Sequence, residues 1–130
     1  MANTVAIQTI ADGPKYTVLK AYLASDGAAG ELTDQVIFDA STFWGAPLDS
    51  TLVKIWASTT GCAFNLEWDA TTDVGIMNFP SDRAEEFCFE KIGGIPNNAG
   101  AGKTGDILIN TSGFTAAGDA ITLVLTIKKD

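Results

Sequence analysis

The chain has 130 residues, of which 46% are hydrophobic and 18% charged, which fits a single domain with its own core and excludes a disordered tail or a second ordinary domain. Sixteen acidic residues face eight basic ones, a formal net charge of -8, the wrong sign for a phosphate backbone or an anionic membrane surface. With no histidine, one arginine (Arg83) and two cysteines, the sequence rules out a Ser-His-Asp triad, a Cys-His pair, a histidine-ligated metal and a four-thiolate site. No catalytic residue, cofactor or metal is expected, and neither a nucleic-acid nor a membrane partner.

The opening MANTVAIQTIADG has no basic segment followed by a continuous apolar one, so no secretory signal is expected, and synthesis in the cytoplasm is. Val5 to Ile10 predicts a first strand, closed by the turn signal Asp12-Gly13-Pro14. Tyr16 to Leu23 alternates, with Thr17, Leu19, Ala21 and Leu23 on one side. A loop with Gly27 and Gly30 leads to a short strand at Gln35 to Phe38, then to an aromatic loop holding Phe43, Trp44, Gly45 and Pro47. Leu52 to Ala57 and Ala63 to Asp69 form the clearest hairpin, with Thr60-Gly61 in the connecting turn. Val74 to Phe79 is a strand stopped by Pro80, and Ser81 to Glu86 is a charged turn. Phe87 to Ile92 returns to strand, Gly93 to Gly105 is a Gly/Asn-rich loop, and Asp106 to Thr111 and Ala120 to Lys128 complete the set. Eight to nine short strands without a helix predict an all-β fold, an antiparallel β-sandwich of jelly-roll type, with a closed barrel as the alternative.

Several motifs invite a functional reading that their context refuses. Gly100-Ala101-Gly102-Lys103-Thr104-Gly105 is a literal GxGxxG and imitates the end of a P-loop. A P-loop needs a glycine where Asn97 stands, and both motifs need a helix where Asp106-Ile107-Leu108-Ile109 predicts a strand. Asp69, Asp73, Asp82, Glu85 and Glu86 cluster in sequence but lack a calcium-loop rhythm, so solvated loop charges are expected. Cys62 and Cys88 share no metal or redox spacing and are expected to be small buried or half-buried thiols, their pairing left open.

The three tryptophans raise sugar stacking. Trp68 alternates with Phe64 and Leu66 on one face, and Trp56 falls on the side of Leu52, so both are expected in the core. Trp44, beside Phe43, Gly45 and Pro47, is expected to be exposed, and a Phe-Trp pair at the surface would mark a contact.

Three stretches carry a likeness to known proteins: Met1-Ala2-Asn3-Thr4-Val5 running on to Asp12-Gly13 and Val18-Leu19-Lys20; Leu66-Glu67-Trp68-Asp69-Ala70-Thr71-Thr72-Asp73-Val74; and Gly93-Gly94-Ile95-Pro96-Asn97-Asn98 through Gly105-Asp106-Ile107-Leu108 to Thr111-Ser112-Gly113. In these the chain resembles small virion structural proteins of tailed phages, marine and cyanobacterial ones especially. The resemblance implies a non-enzymatic particle protein. Packaged DNA would repel a subunit of this charge, which favours the outside of the head. There the expected role is a decoration (cement) protein of the capsid surface, bound to the major capsid protein and, by analogy, a homotrimer. A neck or tail component and a carbohydrate-binding β-sandwich are the alternatives. The candidate interface residues are Asn3, Thr4 and Val5, in an arm over residues 1–6, and Phe43, Trp44 and Pro47, in a loop over residues 41–48.

Overall fold

The computed structural model describes residues 3–28, 30–43, 45 and 49–129. Ten strands follow in chain order: β1 (Thr4–Asp12), β2 (Tyr16–Ala24), β3 (Gln35–Phe38), β4 (Ser50–Thr60), β5 (Ala63–Trp68), β6 (Val74–Phe79), β7 (Ala84–Cys88), β8 (Ile95–Pro96), β9 (Ile107–Ser112) and β10 (Ala120–Lys129). Two single-turn 3-10 helices occupy Ala40–Thr42 and Glu90–Ile92. The first sheet runs β1-β2-β10-β4-β7, with β8 also paired to β4; the second runs β3-β9-β5-β6. We call them sheets A and B.

The pairing is nested. β2 pairs with β10, β3 with β9, β4 with β7 and β5 with β6, all antiparallel. An eight-strand ribbon folded back on itself and rolled into two sheets has this order, which makes the expected β-sandwich a jelly roll. β1 extends sheet A by one strand, and β8 adds a two-residue bridge.

Alternation builds the core. Leu19, Ala21 and Leu23 of β2, Ile121, Leu123, Leu125 and Ile127 of β10, and Leu52, Ile55 and Ala57 of β4 face inward from sheet A. Phe64, Leu66 and Trp68 of β5, Ile107 and Ile109 of β9, with Phe38 and Phe79, answer from sheet B. At the β6–β7 side the sheets meet through aromatic rings: Phe79 stacks on Phe64 at 5.3 Å and meets Phe87 edge-on at 6.0 Å.

Three expectations need correction. The charged turn and the strand after it are displaced: Ala84–Cys88 is strand, while residues 89–92 leave it for a helical turn that Gly93 ends in the left-handed region. The glycine-rich loop contains β8, making ten strands where eight to nine were expected. Trp56 is not in the core. A bulge leaves Val53 without a partner on β10, between Lys54, opposite Thr126, and Leu52, opposite Ile127. One extra residue flips the alternation, so Trp56 shares the outer face with Lys54 and Ser58 and is 38% exposed. Trp68, by contrast, is fully buried as expected.

The GxGxxG loop is fixed by its neighbours. Gly102 sits at φ +80°, where a Cβ would lie 2.2 Å from Thr71 Oγ1. The N–H of Thr71 donates to Ala101 O at 3.1 Å, and Thr104 Oγ1 donates to Asp69 Oδ2 at 2.8 Å. The loop then enters strand β9, not a helix.

Candidate functional site

Of the six expected interface residues, Asn3, Thr4, Val5 and Phe43 are among the described ones. Asn3 bridges loops: its Nδ2 donates to Gly30 O at 2.8 Å, and its Oδ1 accepts from the Asp26 N–H at 3.1 Å. Thr4 and Val5 belong to β1 and pair with Ala24 and Leu23, so residues 4–6 are strand and not a free arm. Phe43, expected at the surface, is buried against Phe38 with ring centroids 4.8 Å apart. Trp44 and Pro47 lie outside the described residues.

The sequence-clustered acids are likewise separated. Asp82 Oδ1 accepts the Gly61 N–H at 2.7 Å, Glu85 pairs with Arg83, and Glu86 lies 3.5 Å from Lys54. Asp73 alone joins a group that sequence proximity does not reveal: carboxylate oxygens of Asp34, Glu67 and Asp73 lie within 4.8 Å of one another. Beside them Asn78, Asn65 and Asn110 stand abreast on β6, β5 and β9. Asn110 Nδ2 donates to Asn65 Oδ1 and to Glu67 Oε1, and Asn110 Oδ1 accepts the Asp34 N–H. Three oxygens of this kind can hold a hard cation; here Asp73 Oδ1 also accepts the Ala70 N–H, so the group closes a turn.

The outer face of sheet A is chemically different. Across one row stand Gln8, Lys20, Val124, Trp56 and Glu86 on five successive strands. The next row is Ala6, Tyr22, Thr122, Ser58 and Ala84; the row on the other side carries Val18, Thr126, Lys54 and Cys88. Tyr16 and Lys128 are paired at its end. Tyr22 is 42% exposed and Trp56 nearly as much. Thus three of the eight basic residues, Lys20, Lys54 and Lys128, share a face with three exposed aromatics and two glutamates, Glu86 and, beside Tyr16 and Lys128, Glu90, in a chain with twice as many acids as bases. The signal for this face lay in the sequence: Trp56 is two residues from both Lys54 and Ser58, a polar parity that the bulge at Val53 obscured.

Two thiols complete the inventory. Cys62 is buried and Cys88 exposed, and they are not bonded to each other. Burial, with the charge of Asp119, pushes the Cys62 thiol up to about 11. Among the described residues no helix is long and apolar enough to cross a membrane. No family model matches the chain, and no curated protein matches it either.

Proposed function

We propose that the chain is a non-enzymatic virion structural protein of a tailed phage, a decoration protein that binds the major capsid protein on the outer surface of the head. The observation that supports this reading is the outer face of sheet A. It is an open antiparallel sheet surface with Trp56, Tyr22 and Val124 at its middle and lysines around them. Aromatic anchors ringed by polar groups are the composition of protein contacts. The lysines select a partner surface that is acidic with an apolar centre. Binding the assembled shell and not its separated subunits would stabilise the shell by mass action. A trimer at three-fold positions is part of the same proposal, carried by the resemblance.

Co-sedimentation with expanded heads stripped of accessory proteins tests it. Saturable binding at a fixed ratio to the capsid subunit is the expected result, and the ratio reads the copy number per site. Trp56→Ala combined with Lys54→Glu is expected to weaken binding at least about tenfold, the scale of losing a central aromatic anchor. Binding to isolated tails instead of heads would move the protein to the neck or tail.

A second reading rests on one observation. Trp56 presents an exposed indole with Lys54 and Glu86 beside it, the arrangement that a carbohydrate-binding β-sandwich uses to stack a sugar ring. Quenching or enhancement of tryptophan fluorescence by a glycan, lost in Trp56→Phe, would favour that reading over the capsid.

A further inference from the structure

Among the described residues five strands lie at sheet edges, and four of them are blunted, β8 being two residues long and half proline. β7 carries Glu85 and Glu86 on a five-residue strand. β3 spans four residues between Asp34 and Asp39. β6 contains Gly75 and stops at Pro80. Charges, short length, glycine and proline are the devices by which sheets avoid pairing with other chains.

β1 has almost none of them. It is nine residues long and holds no glycine or proline. From Thr4 to Ala11 it carries no charge. Its one irregularity is the bulge that leaves Ile10 unpaired between Thr9 and Ala11. Among the described residues β1 pairs with β2 alone, so from Thr4 to Ala11 no second strand is paired to the other side of its backbone. Val5, Ile7 and Thr9 lie opposite Leu23, Ala21 and Leu19, which places them on the core side of sheet A. Yet Ile7 is 44% exposed, because sheet B ends at β3 and does not extend under β1. Between them is a groove of about 400 Å³, lined by Ile7 and Thr9 of β1 and by Val36, Phe43 and Asp39 from β3 and the turn after it.

We propose that β1 is a self-association edge: two copies of this chain pair β1 against β1, antiparallel, about a two-fold axis through Ile7. A two-fold contact sets one surface patch against a second copy of itself, residue i against j and j against i. In a chain of net charge -8 this opposes acid to acid wherever the surface is acidic, and the uncharged run of β1 escapes that penalty. The register that keeps each side chain on its own face sets Ile7 against Ile7 of the second copy, Val5 against Thr9, and Ala6 against Gln8. Opposed β-branched pairs are favourable cross-strand neighbours. The result joins two sheets A into one continuous surface and covers the exposed Ile7. The trimer proposed on the shell needs a separate, heterologous contact elsewhere on the molecule, so the dimer is the state expected in free solution. The inference does not depend on the particle reading.

Sedimentation velocity over a concentration series, with three proteins, tests it. The unaltered chain is expected to pass from monomer to dimer. Ile7→Lys is expected to stay monomeric with an unchanged circular-dichroism spectrum, since the position is exposed. Ile7→Cys in a Cys88→Ser background is expected to form a disulfide between two chains on mild oxidation, as opposed Cβ atoms in an antiparallel pair lie within reach. A chain that is monomeric at every concentration would overturn the proposal. So would a dimer or trimer that survives Ile7→Lys, or a dimer in which the position-7 cysteines do not cross-link.

Discussion

Single side chains show how local chemistry is set by where the strands place them. Cys62 lies in the tight β4–β5 turn behind Gly61, and its Sγ donates to Ala120 O at 3.7 Å. Cys88 stands on the outer face of β7. Only the thiolate reacts with disulfide reagents, and a thiol pushed to about 11 is protonated at neutral pH. At pH 8 the folded protein is expected to titrate one thiol with Ellman's reagent and the denatured protein two. Two fast thiols in the folded state would contradict the burial of Cys62. Gly61 shows the same precision: at φ +74° its missing Cβ leaves room for Asp119, whose Oδ1 would lie 2.1 Å from one. Asp119 is held there because its Oδ2 accepts the N–H groups of Thr115 and Ala116.

Elements are tied to one another by a few charged side chains. Lys129 of β10 is almost wholly buried and hydrogen-bonds Asp12 and Gly13 O, fastening the β1–β2 turn to a central strand. Glu31, in the loop before β3, reaches the end of β9: its Oε1 accepts from Thr111 Oγ1 at 2.7 Å and the Phe114 N–H at 3.0 Å, and its Oε2 accepts the Gly113 N–H at 2.7 Å. Burial pushes its carboxyl up, but these three donors outweigh it and hold the group below the ordinary carboxylate value. A lowered value in the folded state means stability that is present above the unfolded value and is lost as pH falls through the folded one. Glu31→Gln is expected to cost about 0.5 kcal/mol at pH 7, the scale of a charged hydrogen bond discounted for the exposure of Glu31 to solvent, and to flatten the acid limb of a denaturation curve recorded from pH 7 to pH 3. An acid limb unchanged from that of the unaltered chain would show that the three donors contribute nothing net. The strands themselves were legible in the sequence because period-two alternation and punctuation by Gly and Pro are local. Bulges were not, since a residue that a partner strand skips, such as Val53 or Ile10, is defined by that strand. The misplacement of Trp56 follows from that alone.

At the scale of the whole molecule, charge is sorted between surfaces. The lysines of Lys20, Lys54 and Lys128 face outward from sheet A, the Asp34–Glu67–Asp73 group belongs to sheet B and its loops, and β1 is neutral over Thr4 to Ala11. Such groups are assembled from distant segments, so the sequence showed their residues without their company; the net charge was legible, its segregation was not. Screening separates the two proposed contacts. At about 0.5 M salt, where the Debye length falls to roughly 4 Å, binding of sheet A to an acidic partner is expected to weaken, while pairing through β1 is expected to be unchanged. The opposite pattern in paired salt titrations would exchange the roles of the two surfaces.

The nested order of the strands has one more consequence, for a chain made from one end to the other. β10 lies between β2 and β4, so sheet A has no middle until β10 has left the ribosome. Until then Leu19 and Leu23 have cross-strand neighbours only on the edge strand β1, and Ile55 and Ala57 only on the edge strand β7. Sheet A is therefore joined only when β10 arrives, and a fragment ending before it is expected to leave the inward faces of β2 and β4 uncovered along one edge each and to aggregate more readily than the whole chain.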